Sequence, residues 1–195
     1  MSLLPDDTTP LDPEESAGLK LSFIATRAEL NAAEALNIEA GLRWAGTGRS
    51  TEEILHVDFL RELHRRMFGD VWKWAGDYRR TDKNIGVSWL QVEGQVVELL
   101  RNVTAWVGGE DLAWPVDEIG ARFHHQLVAI HPFPNGNGRH SRASADLLIV
   151  ALGSVPFSWG RESLADTGDV RSRYVAALRA ADHYDLSLLL KFVRS

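Results

Sequence analysis

The chain has 195 residues, 45% of them hydrophobic and 25% charged, with a formal net charge of −6. That is enough sequence for one domain with a sizeable core, and the negative balance argues against a sequence-independent nucleic-acid binder, which needs a basic face. The lack of cysteine excludes disulfides and thiolate metal sites, and no window reaches the ~18 apolar residues of a membrane span.

Residues 1–18, MSLLPDDTTPLDPEESAG, form an acidic, proline-rich lead-in unlike a signal peptide, so a cytoplasmic protein is expected. From Thr26 to Trp44 the chain reads as one helix, with Ala33, Leu36, Ala40 and Trp44 recurring at three- and four-residue spacing. GTGRST (46–51) breaks that pattern, and Ser50 or Thr51 caps the next helical segment, 52–67, which carries Ile54, Leu55, Phe59 and Leu63 on one side and stops at Gly69. Residues 72–92 change character. Gly76 and Gly86 punctuate them, and Val87, Trp89 and Val92 favour extended structure, which predicts a short hairpin or flap. Helices follow at about 94–107 and 117–130, the second with a stripe of Ile119, Phe123, Leu127 and Ile130. A further apolar helix carries Ala143, Leu147 and Ala151 and ends near Gly153, and two C-terminal helices are expected at 169–182 and 185–193. There is no internal repeat and no second domain.

Between the two central helices stands HPFPNGNGRHSR, residues 131–142. A loop entering a helix N-terminus is an anion site, because the first N–H groups lack partners and the macrodipole favours negative charge. Glycine lets the backbone approach a ligand, so Gly136, Asn137 and Gly138 can cradle phosphate oxygens with main-chain donors. Arg139 and Arg142, three residues apart, can face one pocket and each offers a planar fork suited to phosphate. His131, at the end of the preceding helix, has the right ordinary pKa to act as a base near neutral pH. Together these groups suggest transfer of a phosphate-containing group, in which a protein mainly positions reactants and stabilises charge. Taken singly, each has a bland reading: a packed histidine, a solvated arginine pair, an ordinary glycine turn. The eight fixed positions of HPFxxGNGRxxR, however, would arise by chance in a chain this long about once in a hundred million.

The stretch resembles the signature of the Fic family, HxFx(D/E)GNGRxxR, and WAGDYR (74–79) with the flanking apolar helices extends the likeness over roughly residues 20–190. HPFPNGNGRH and TRAELN also resemble the bacterial group labelled "mobile mystery protein B", which suggests a mobile-element or toxin–antitoxin setting. The resemblance implies an all-α fold, a Fic-like helical core over 19–195 with a β-hairpin flap beside the active-site loop. It implies a protein adenylyltransferase that moves AMP from ATP, with Mg2+ or Mn2+, to a Ser, Thr or Tyr hydroxyl of a target protein. By position, His131 is then the general base, Asn137 and the N–H groups of 136–138 hold phosphates, Arg139 assists at the β-phosphate side and Arg142 reaches the γ-phosphate. Phe133 is a buried anchor.

One position departs from the pattern. Asn135 stands where the family has the Asp or Glu that binds magnesium, and an amide oxygen brings no charge to a hard cation. Gly138 is glycine, as in AMP-transferring members, where the Doc-like kinases carry a bulkier residue. The flap, with Asn84, Ile85 and Gly86 nearest the site, is expected to pair with an extended target segment. Arg79 and Arg80 either touch nucleotide or face solvent. An inhibitory glutamate on the helix at about 26–45 is expected to pair with Arg142. Glu29 in ATRAELN is the first candidate and Glu34 the second. Two alternatives stay open, a hydrolase that removes AMP and a degenerate domain that binds nucleotide without turnover. The expected partners are a target protein and the chain itself as its own target, with no membrane and no nucleic acid. Homodimer formation is left open.

Overall fold

The computed structural model describes residues 18–46, 48–160 and 167–195, so most of the lead-in lies outside them. Eight α-helices are described: α1 (Arg27–Ala45), α2 (Thr51–Ile54), α3 (Val57–Phe68), α4 (Val92–Val107), α5 (Val116–Ile130), α6 (Asn137–Ala151), α7 (Thr167–Asp182) and α8 (Ser187–Val193). Among the described residues no helix is long and apolar enough to cross a membrane. The segment expected to be one helix over 52–67 is broken at Leu55 and His56, where the His56 ring accepts from the Asp58 N–H and caps α3. Ser50 caps α2 in a reciprocal pair with Glu53.

Helix α5 lies against α6 at the centre, flanked by α4 on one side and α8 on another. Its predicted stripe of Ile119, Phe123, Leu127 and Ile130 is buried throughout. Gly120 makes the close approach: a Cβ there would meet Ile149 Cγ2 of α6 at 2.5 Å and the Phe157 ring at 2.9 Å. Burial of each large apolar side chain in this layer contributes about 1.5–3 kcal/mol.

Helix α1 packs on α3 with a face that the apolar spacing did not predict. Its buried residues are Leu30, Glu34, Asn37, Gly41 and Ala45, while Leu36 is 70% exposed. The reason is steric and polar. A Cβ on Gly41 would sit 2.7 Å from the backbone of Arg66 and Met67, so glycine sets a tight helix–helix contact. Beside it the Asn37 amide donates to the Arg66 carbonyl (3.0 Å) and accepts from the Asp70 N–H (2.9 Å). A face built from a glycine and satisfied polar groups carries no hydrophobic signature.

The expected β-hairpin over 72–92 is absent. Among the described residues the one β-bridge joins Leu19 to Trp72, and the segment ends in a 3-10 turn at Trp89–Gln91. Gly76 and Gly86 take positive φ of 85° and 100°, which bends the chain away from a ladder. The carbonyls of Thr81 and Val87 accept from the Arg79 guanidinium instead of from a second strand.

Candidate active site

Helix α5 ends at His131, whose φ of 55° and ψ of 60° place it in the left-handed region, with its N–H donating to the Leu127 carbonyl (3.2 Å). That conformation is unfavourable for a residue with a Cβ, and it turns the chain sharply into the loop. The His131 ring is half-buried. Burial, then the charges of Arg79 and Lys83, push its pKa below the ordinary histidine value, against an opposing pull from the nearby Val128 carbonyl. Nδ1 itself is buried without a partner of hydrogen-bond geometry. The imidazole is therefore neutral at pH 7 and able to accept a proton.

The loop is held from below by an aromatic stack. Phe133 is fully buried and lies 3.7 Å, centroid to centroid, from the His64 ring of α3, with His140 edge-on at 5.0 Å and Tyr78 at 5.6 Å. His64 Nδ1 accepts from the Gly76 N–H (2.9 Å), which leaves Nε2–H to donate to the Asn135 carbonyl (3.1 Å). One neutral histidine thus ties the loop to the WAGDYR stretch. Its signal was present in the sequence, because His64 falls four residues from both Leu60 and Phe68 on the buried stripe of α3.

The Asn137 side chain does not face outward to a ligand. Its Oδ1 accepts from the Phe133 N–H (2.9 Å) and its Nδ2 donates to the Phe133 carbonyl (2.8 Å), so it staples the loop to itself. Only its main-chain N–H is left for phosphate. Gly136 is the N-cap of α6, at φ 78°, and gives no side-chain cap. The first N–H groups of α6 are free of a capping side chain, and nothing lies within 4 Å of the place where a Cβ on Gly138 would stand. The two glycines therefore differ in purpose. A methyl on Gly136 would strike the Phe68 ring at 2.5 Å. Gly136→Ala is expected to cost about 2–4 kcal/mol through positive φ and overpacking. Gly138→Ala should leave thermal stability intact or slightly raised while weakening ATP binding. Melting curves and an ATP titration on both variants check this.

The two motif arginines diverge. Arg139 donates from Nη1 to Glu34 Oε2 of α1 (2.6 Å) and lies over the Phe68 ring at 4.9 Å. Arg142 donates from Nε to the Gly138 carbonyl (3.2 Å) and lies 5.6 Å from the Tyr174 ring of α7. Glu34 is 4% exposed, and its second oxygen accepts from Trp72 Nε1 (2.7 Å).

Glu29 does not pair with Arg142. It is exposed and serves as the third residue of α1, accepting from the Ala25 and Thr26 N–H groups (2.8 and 3.0 Å) while its own N–H donates to Thr26 Oγ1. The glutamate that reaches the motif is Glu34, and its partner is Arg139. Arg79 is buried and binds backbone carbonyls, so it takes neither of the roles left open for it. In the flap, Asn84, Ile85 and Gly86 are all exposed, and Gly86 also lies against the site: a Cβ there would be 2.7 Å from His131 Cβ.

Asn135 Oδ1 accepts from the Gly136 N–H (2.6 Å), and the described residues contain no group of three His, Cys, Asp or Glu placed to hold a metal ion. By themselves these residues do not make a divalent-cation site.

The remaining buried histidines are structural. His124 bonds the Tyr174 hydroxyl (3.0 Å) and His140 the Leu60 carbonyl (2.9 Å), and burial lowers their pKa values to about 3 and about 4. Both folded values lie below the unfolded ~6.5. Their contribution is therefore intact above pH ~6.5 and is lost as pH falls toward 4, because the unfolded chain binds the protons first. Denaturant titrations from pH 7 to pH 4.5 should show stability falling by several kcal/mol, and a His140→Gln variant should fall less steeply.

With this geometry in hand, comparison with known proteins places the chain. A Fic/DOC family model matches residues 54–149, from the end of α2 to within α6. Those residues are a Fic/DOC domain. Protein adenylyltransferase fic-1 of Caenorhabditis briggsae is 29% identical over 164 residues, 82% of this chain and 31% of that protein. The chain spans about a third of the length of such relatives. The structure of Fic-1 (aa134–508) from C. elegans superposes with a TM-score of 0.62 at 27% identity, over 83% of this chain and 46% of that one. BepC from Bartonella tribocorum, determined with bound AMPPNP, shares the fold at a TM-score of 0.70 and 17% identity, over 98% and 93% of the two chains. The matched span includes residues 131–142, the loop after α5 and the start of α6.

Proposed function

We propose that the chain is a protein adenylyltransferase that transfers AMP from ATP to a Ser, Thr or Tyr hydroxyl of a target protein, this chain included as its own target. The observation that carries the reading is one juxtaposition. A neutral, half-buried His131 ends α5 one loop away from an uncapped helix N-terminus with open space over Gly138. The adenylyltransferase names of relatives such as the C. briggsae protein support it.

The chemistry follows from the groups present. The His131 ring takes the proton of the target hydroxyl as its oxygen attacks the α-phosphorus. The bond from that phosphorus to the bridging oxygen breaks, and pyrophosphate leaves. Main-chain N–H groups of Asn137 and Gly138 and the guanidinium groups of Arg139 and Arg142 stabilise the charge on the phosphates, the Gly136 N–H being taken by Asn135. The chain's own residues offer a magnesium or manganese ion only the neutral Asn135 oxygen, already engaged by Gly136, so such an ion would be held by the phosphates of ATP, whose charge it would offset. The target segment lies along 81–92, with Ile85, 60% exposed, as an apolar contact.

In the arrangement described, the enzyme is restrained. Glu34 holds Arg139 away from incoming phosphate with a short ion pair, and the hydrogen bond from Trp72 fixes the carboxylate. Removal of AMP would require a glutamate to orient water. Both Glu34 oxygens already accept donors, which favours transfer over removal.

ATP labelled at the α or the γ phosphorus separates the reactions. Label from the α position is expected on protein, with γ label leaving in pyrophosphate. Label from the γ position on protein would overturn the reading in favour of phosphoryl transfer.

A further inference from the structure

Arg79 has an environment unlike that of the other arginines. Its side chain is 1% exposed, and among the described residues the one carboxylate within ion-pair range is Asp82, at 3.7 Å and itself exposed. A buried guanidinium needs its donors satisfied. Here they are met by main-chain carbonyls. Nε donates to His131 (2.7 Å), Nη1 to Thr81 (2.9 Å), and Nη2 to Val87 and, at 3.4 Å, to Ile130. Its own N–H donates to the Pro132 carbonyl (2.9 Å).

Three of those oxygens, on residues 130–132, lie at and just past the C-terminal end of α5, where the helix dipole is negative and favours a cation. The other two belong to the flap. The flap is tied on again by the Val87 N–H to the Ile130 carbonyl (3.4 Å) and closed by Asp82, which accepts from the Trp89 N–H (2.8 Å). Gly86 leaves room for the clamp: a Cβ there would stand 2.9 Å from Arg79 Nη2.

We infer that Arg79 is a positioning residue whose planar fork locks the left-handed turn at His131 and the flap into one unit, setting the catalytic base and the target-docking segment in fixed register. The functional part rests on the adenylyltransferase reading, since it takes His131 as the base. The clamp itself does not. Lysine cannot replace the fork, because one ammonium on a flexible stem cannot span carbonyls on both segments.

The charged groups that act on the His131 ring are Arg79 and Lys83; Asp82 lies beside Arg79, and Glu98 of α4 lines a cavity of about 350 Å³ with Val87 and Ile130. Arg79 and Lys83 disfavour a proton on the ring. Loss of the Arg79 charge therefore raises the His131 pKa, and the acid limb of the rate profile moves to higher pH.

The test compares the full chain with Arg79→Gln and Arg79→Lys by amide hydrogen exchange, NMR titration of the His131 ring and AMP transfer against pH. Arg79→Gln should speed exchange at Val87 and His131 about tenfold or more, raise the ring's titration midpoint, shift the acid limb with it and raise KM for the target. Arg79→Lys should keep the midpoint near wild type yet speed exchange similarly. If no chain transfers AMP, the adenylyltransferase reading fails, while exchange and titration still decide the clamp. If Arg79→Gln does not fold, Arg79→Lys decides alone. Exchange at Val87 and His131 as slow as wild type in the folded variant would overturn the clamp.

Discussion

Replacing His131 with alanine is expected to lower AMP transfer by about 10²–10⁴-fold, the usual contribution of a positioned general base. Binding of ATP should be nearly unchanged, because the proposed phosphate donors are the first N–H groups of α6 and not the ring. Folding should also survive, for the half-buried ring makes no hydrogen bond of normal geometry through Nδ1, and removing the side chain does not disturb the Phe133–His64 stack that holds the loop. A pulse of α-labelled ATP, alongside a direct nucleotide titration, separates the two effects. Loss of binding equal to the loss of transfer would place His131 in ligand binding instead.

The second large effect belongs to Glu34. Glu34→Gln keeps an oxygen to accept from Trp72 Nε1 but removes the charge that holds Arg139. Hydrogen bonds to charged groups are worth about 1.5–3 kcal/mol, so freeing Arg139 should raise AMP transfer roughly tenfold or more. Glu34→Ala is a poorer test, since it strands the buried indole N–H of Trp72 and leaves a cavity beside α3. Glu29→Gly provides the contrast. It removes the α1 capping box and should lower the melting temperature without raising activity. Initial rates and melting curves for the three variants check both halves. Activation by Glu29→Gly and not by Glu34→Gln would return the inhibitory role to the helix cap.

These pairs also show what the sequence can carry. The stripe of Ile119, Phe123, Leu127 and Ile130 was legible because four large apolar residues at helical spacing have one reading, and all four are buried. Helix α1 was placed correctly but turned wrongly. Its buried face holds Glu34, Asn37 and Gly41, residues that hydrophobic periodicity assigns to solvent, and it is buried because each finds a specific partner on another segment. Such partners are 25 to 105 residues away in the chain, from Gly41 against Arg66 to Glu34 against Arg139, beyond any local pattern.

The same division holds in the candidate site. The loop 131–142 announced itself through residue types at fixed spacing, and the glycines, the base and the helix start lie together as that spacing suggests. The spacing of Arg139 and Arg142 could not say that one leans toward α1 and the other toward α7. Asn137 looked like a ligand and is a staple within the loop. The flap was misread as a hairpin because Val87, Trp89 and Val92 favour strands, whereas its carbonyls are taken by one buried arginine.

Intact mass after incubation with ATP and magnesium, compared among wild type, Glu34→Gln and Glu34→Gln with His131→Ala, is the measurement to make first. An AMP-sized gain in Glu34→Gln, weaker in wild type and absent when His131 is also removed, is the predicted result. A gain that persists without His131, or no gain in any chain that still binds ATP, would contradict an adenylyltransferase restrained by Glu34.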